Sequence, residues 1–113
     1  MENEIIDKIK AQISEMQKLS SDDKHFRLKH YVDSILTKLM DLMNQTDDEK
    51  KKEEYLFIRK ELDYTNGREV KFAENAFYEA RKKRSAKILE YEYHKKLERA
   101  IRQVKLELSK FTN

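Results

Sequence analysis

The chain contains no proline and a single glycine in 113 residues. Proline is the residue that most reliably breaks a helix, and glycine supplies the left-handed conformations that sharp turns need. A chain almost without either stays helical wherever its apolar residues recur at helical spacing, and here they do so nearly throughout. The pattern predicts an all-α protein: one domain, a small antiparallel helical bundle or hairpin with a long C-terminal helix and coiled-coil-like packing.

Charged residues make up 42% of the chain and hydrophobic residues 38%. That is enough apolar surface for a thin seam between helices and too little for a deep, dry pocket. The net charge is only +3, and Ile, Leu, Phe and Tyr recur in register, which argues against disorder. With no cysteine there is no disulfide and no thiolate metal site. No apolar run approaches the ~20 residues of a transmembrane helix, and Met1-Glu2-Asn3-Glu4 is acidic rather than signal-like. No membrane partner and a cytoplasmic location are therefore expected. The excess of lysine over arginine, with frequent Ile, Asn and Tyr, matches AT-rich coding of the kind found in low-GC bacteria and their phages.

Four helices are predicted, over 3–19, 22–44, 47–64 and 68–111. Ile5, Ile9, Ile13 and Met16 mark one face of the first, and Ser20-Ser21-Asp22-Asp23 reads as a stop followed by a new N-cap. Leu28, Val32, Ile35, Leu39 and Leu42 give the second helix the most apolar face, the expected centre of the core. Thr46-Asp47-Asp48-Glu49 has the form of a capping box for the third, whose seam is Tyr55, Ile58 and Leu62. Asn66-Gly67 permits three outcomes: a left-handed helix cap, a type I′ turn, or a continuous helix bearing a glycine. A helix end is favoured.

At ~100° per residue, Val70, Ala73, Phe77 and Ala80 lie on one side of the wheel. A second stripe, Ala86, Leu89, Tyr93, Leu97, Ala100, Val104, Leu108 and Phe111, is offset from it by roughly 150°. Either the helix bends at 81–85, with Ser85 as N-cap, or one long helix meets different partners on opposite faces. The run Arg81-Lys82-Lys83-Arg84 holds no breaker, which favours one helix of about 65 Å from Arg68 to Phe111. A rod that long on so small a protein implies a homodimer or a hetero-complex.

Opposite the second stripe lies a ribbon at helical spacing: Arg81, Arg84, Ile88, Tyr91, Lys95, Arg99, Arg102 and Leu106. From Arg68 onward there are 13 basic and 7 acidic residues, against 12 and 15 before it, so charge is sorted along the chain. With Tyr78 beside it, the ribbon is the candidate binding surface. Its most natural partner is an acidic protein surface, anchored by Ile88, Tyr91 and Leu106. The alternative is nucleic acid, with cations on phosphates and Tyr91 stacked on a base. No helix-turn-helix, zinc-finger or RNP pattern supports sequence-specific reading.

Catalytic chemistry finds no constellation. One glycine excludes a phosphate-cradling loop, there is no cysteine nucleophile, and the serines occupy cap or surface positions. His25 and His30 point in different directions, and Glu90, His94 and Glu98 read as an exposed polar stripe, so no metal and no cofactor are expected. Tyr55 and Tyr93 fall on seams, while Tyr31, Tyr64, Tyr78 and Tyr91 fall off them. The resulting expectation is a non-enzymatic adaptor or inhibitor of the sort that mobile elements encode, directed for example at a nucleic-acid-binding protein. Direct nucleic-acid binding and self-assembly as a scaffold are its rivals.

Overall fold

A computed structural model describes residues 2–19, 25–82 and 86–111, with the backbone alone for Ala86 and Ile88. Among the described residues there are five α-helices: α1 (Glu2–Met16), α2 (His25–Gln45), α3 (Glu49–Gly67), α4 (Glu69–Lys82) and α5 (Ala86–Glu107), followed by a 3-10 turn at Ser109–Phe111. Among the described residues there is no strand. The fold is all-α, as its composition and periodicity require.

The long helix over 68–111 is not formed. Phe77 and Tyr93 would lie about 24 Å apart along a single helix, yet their ring centroids are 5.3 Å apart. Thr65 and Glu107 hydrogen-bond directly, and Tyr55 stacks on Phe111 with centroids 6.3 Å apart. α5 therefore runs antiparallel along both α4 and α3. This also explains the offset between the two apolar stripes. On a straight rod they would face away from each other; in a hairpin each faces the other helix. The proposed cap at Ser85 lies outside the described residues, as does the stop at 20–23.

The joint between α3 and α4 is a single residue. Arg68 leaves the helical region (φ −121°, ψ −81°), its N–H reaches the Thr65 carbonyl at 3.2 Å, and its own carbonyl accepts from Phe72 N–H at 2.7 Å. Helix resumes at once, so α3 and α4 act as one interrupted rod. Residues 49–82 span roughly 51 Å, close to the 55 Å length of the molecule. Gly67 has no positive φ, so neither the left-handed cap nor the type I′ turn occurs. A Cβ at this position would meet nothing within 4 Å. Gly67→Ala is accordingly expected to stabilise the protein by about 0.4–1 kcal/mol in urea unfolding, by restricting the unfolded chain.

α2 lies antiparallel to this rod: Asn66 Nδ2 donates to Asp33 Oδ1 at 2.9 Å, and the His25 ring sits 5.0 Å from that of Phe77. α1 packs back along α2, where Gln12 Nε2 donates to Ser34 Oγ at 2.8 Å. Lys105 Nζ reaches the Gln17 carbonyl just past the end of α1, at 3.4 Å. Four helices thus share the α3 half of the bundle. At the α4 half α1 has ended, and α2, α4 and α5 remain. The core is one continuous seam of Ile9, Ile13, Leu28, Val32, Ile35, Leu39, Leu62, Leu97, Val104 and Leu108 with their neighbours. Each such side chain contributes about 1.5–3 kcal/mol on burial. The radius of gyration, 15.5 Å, exceeds the roughly 13 Å of a compact chain this size, because the seam is long and thin.

Two helix ends differ from the expected capping box. Thr46 is buried and its hydroxyl donates to the Leu42 carbonyl at 2.7 Å, closing α2. Asp48 is the N-cap of α3 instead, extended and accepting from Lys50 N–H at 2.9 Å. A hydroxyl already held by the orphan carbonyl at the end of α2 is not free to cap α3, so the next available carboxylate does so.

Candidate partner-binding surface

α5 has two unlike sides. Its inner side is held by Tyr93, Leu97, Ala100, Val104 and Leu108, all buried. Tyr93 also fixes where α5 sits on α2: its hydroxyl accepts from the His25 backbone N–H at 2.8 Å and lies 3.1 Å from His25 Nδ1. Burial pushes the Tyr93 phenol above its ordinary pKa, partly opposed by that amide hydrogen bond. At the other end Thr65 donates to the Glu107 carboxylate, 2.7 Å from Oε2. Burial, then the neighbouring Glu61 and Glu69 charges, raise Glu107 to about 7 against the pull of the Thr65 hydroxyl. These polar contacts set the register and rotation of α5, and so determine which residues face outward.

The outward residues are Tyr91, Lys95, Arg99, Arg102 and Leu106, all exposed. Tyr91 is 62% exposed, with Lys95 Nζ 5.5 Å from its ring centroid, a cation–π contact on the surface. Shallow hollows of about 450 and 640 Å³ run along this face and share Arg99 and Arg102, making one continuous strip. Among the described residues, no carboxylate pairs with Lys95, Arg99 or Arg102, whereas Lys18, Lys29, Lys51, Lys52, Lys71 and Lys110 each have one.

The rest of the expected ribbon is dispersed. Arg81 belongs to α4, on the far side of the chain reversal, where its guanidinium lies 5.3 Å from the Phe77 ring centroid. It lines a hollow of about 520 Å³ with Phe26, Glu90 and His94, not the α5 strip. Tyr78 is exposed on α4, its ring 6.4 Å from that of His25. Arg84 and the side chain of Ile88 lie outside the described residues. Placing Arg81 in line with Lys95 assumed one helix through 81–85; a hairpin does not keep that phase. Among the aromatics off the seams, Tyr64, Tyr78 and Tyr91 are exposed, but Tyr31 packs partly against the core. Among the described residues no cluster of His, Asp or Glu could hold a metal ion, and no helix is long and apolar enough to cross a membrane.

Sequence reading missed a second surface. Leu106 ends the basic strip and also lines a groove of about 780 Å³ between α3 and α5, opposite Phe57 and above Ile58. Phe57 carried a usable signal: it stands off the Tyr55–Ile58–Leu62 seam and seven residues before Tyr64, which places both on one exposed stripe of α3. Comparison of the chain with protein-family models, with curated proteins and with solved structures finds no match.

Proposed function

We propose that this is a non-enzymatic helical binding protein, an adaptor or inhibitor that acts by occupying an acidic surface of another protein with the outer face of α5. The observation that carries this reading is the line of exposed cations, Lys95, Arg99 and Arg102, beside exposed Tyr91; Glu92 lines the same hollow, but among the described residues no carboxylate forms an ion pair with any of the three. Such groups remain hydrated in the free protein and become charge-assisted hydrogen bonds when a carboxylate-rich surface meets them. Tyrosine and arginine are the residue types most enriched at binding hot spots.

A protein partner is favoured over nucleic acid because the face changes sign along its length. Beyond Leu106 come Glu53, Glu54, Glu61 and Glu107, which would repel a uniformly anionic backbone. A homodimer that laid one basic strip directly on the other would set cations against cations, so the partner we propose for the strip is a different, acidic protein. An inhibitor of cytoplasmic nucleic-acid machinery, encoded by a phage or mobile element, is the specific setting we propose.

The triple variant Lys95→Glu, Arg99→Glu, Arg102→Glu tests the assignment. Unfolding stability should change by no more than about 0.5 kcal/mol per site, as for surface positions generally. A partner retained by the wild-type protein in affinity capture from host lysate should bind the variant roughly a hundredfold more weakly. Equal recovery by both proteins would show the face is wrong. Shifting of single- or double-stranded DNA or RNA by wild type alone would favour the nucleic-acid reading instead.

A further inference from the structure

The groove of about 780 Å³ between α3 and α5 is separate from the basic strip except at Leu106 and Gln103. Its walls combine two features seldom left to water together. Phe57 and Leu106 are 65% and 66% exposed, and Ile58 lies between the helices beneath them. Exposed large apolar side chains converging on one concave site mark an interaction surface more often than a solvated one. Around them stand four carboxylates, Glu53, Glu54, Glu61 and Glu107, against two ammonium groups, Lys50 and Lys110. Lys110 is committed to Glu54 at 2.5 Å. Among the described residues, neither Glu53 nor Glu61 has a cationic partner.

We propose that this groove is a second docking site, and that it takes a short cationic amphipathic helix from another protein. Apolar residues of that helix, three and four apart, would sit against Phe57 and Leu106, and its flanking lysines or arginines would meet Glu53 and Glu61. The dimensions agree with this occupant. The α3 wall from Lys50 to Glu61 extends roughly 16 Å, three turns of helix, and a third helix laid between two others is ordinary ridge-and-groove packing at 8–10 Å separation. The charge order also gives polarity to the whole molecule: an acid-seeking strip at one end of α5 and a base-seeking groove at the other, as a bridging protein would need. The inference does not depend on the basic strip having the partner assigned to it above.

The test uses full-length protein and a fluorescein-labelled peptide of about 14 residues with leucine and lysine at helical spacing. Two controls of the same length replace its leucines with serine or its lysines with glutamate. Anisotropy should show saturable binding of the leucine–lysine peptide below about 100 µM and none of either control. Phe57→Ser should weaken that binding roughly thirtyfold, as loss of an aromatic anchor does, and Glu53→Lys with Glu61→Lys should abolish it. The triple substitution in the basic strip should leave it unchanged or slightly stronger, which separates failure here from failure of the α5 assignment. No binding of the leucine–lysine peptide, equal binding of the leucine-free control, or indifference to Phe57→Ser would each overturn the proposal. So would concentration-dependent self-association that Phe57→Ser removes, because a second copy would then be the occupant.

Discussion

Leu97→Ala should destabilise the protein by about 2–5 kcal/mol in equilibrium urea unfolding, while Leu106→Ala, nine residues along the same helix, should cost no more than about 0.5 kcal/mol. Leu97 is completely buried between α5 and its neighbours, whereas Leu106 is two-thirds exposed. Truncating Leu97 removes its transfer free energy and leaves a cavity that the surrounding helices close only in part. For a domain whose total stability is of order 5–15 kcal/mol, that is a large fraction, visible as a fall of about 10–20 °C in Tm. The contrast matters more than either value. Losses of similar size at both positions would mean that α5 is enclosed on all sides, and it would then have no free face to offer a partner.

Glu107→Gln should remove a pH dependence of stability. The native Glu107 carboxyl titrates at about 7 because it is buried beside Thr65 and faces Glu61 of α3 and Glu69 of α4, whereas an unfolded glutamate titrates near ~4.3. Between these values the native state holds a proton that the unfolded chain has released, so stability falls as pH rises through the window and stays lower above it. The group is partly exposed, and with solvent screening the effect is about 1–2 kcal/mol. A neutral glutamine can still accept from the Thr65 hydroxyl and carries no charge to desolvate. The variant should match wild type near pH 4, exceed it by that amount near pH 8, and show a flatter profile between. Parallel curves for the two proteins would contradict the placement of Glu107 between α3 and α5. The exposed Glu98→Gln, which removes a charge of the same type outside the contact, serves as control.

The free side of α5 is a consequence of where its polar contacts lie. Tyr93 with His25, and Glu107 with Thr65, pin the helix near its two ends, on the side that also carries Leu97, Ala100 and Val104. Rotation about its own axis would break both, leaving a buried hydroxyl or carboxylate without a partner at about 1–3 kcal/mol each. Lys95, Arg99 and Arg102 are therefore held outward by what happens on the opposite side. The strip is preorganised, which lowers the ordering cost that binding would otherwise incur.

The helical class, the first three helices with their seams, and the two-sidedness of α5 were legible from residue types, because the 3.6-residue period and the lack of breakers are local properties. The break before Ala86 was visible only as an ambiguity. A stripe offset of roughly 150° is produced equally by a helix with two partners and by a helix that folds back, and Arg81-Lys82-Lys83-Arg84 contains nothing that chooses between them. The long-range meeting of Phe77 with Tyr93 and Thr65 with Glu107 identifies the hairpin, and no window of neighbouring residues contains that information. The same limit applies to the sites. Sequence periodicity places Tyr91, Lys95, Arg99 and Arg102 on one face since they share a helix, but it also put Arg81 there, and the chain reversal removes it. The groove at Phe57 and Leu106 joins residues 49 positions apart. Periodicity acts within a helix, whereas a groove exists only between helices, so the sequence determined the faces and the packing decided which of them meet.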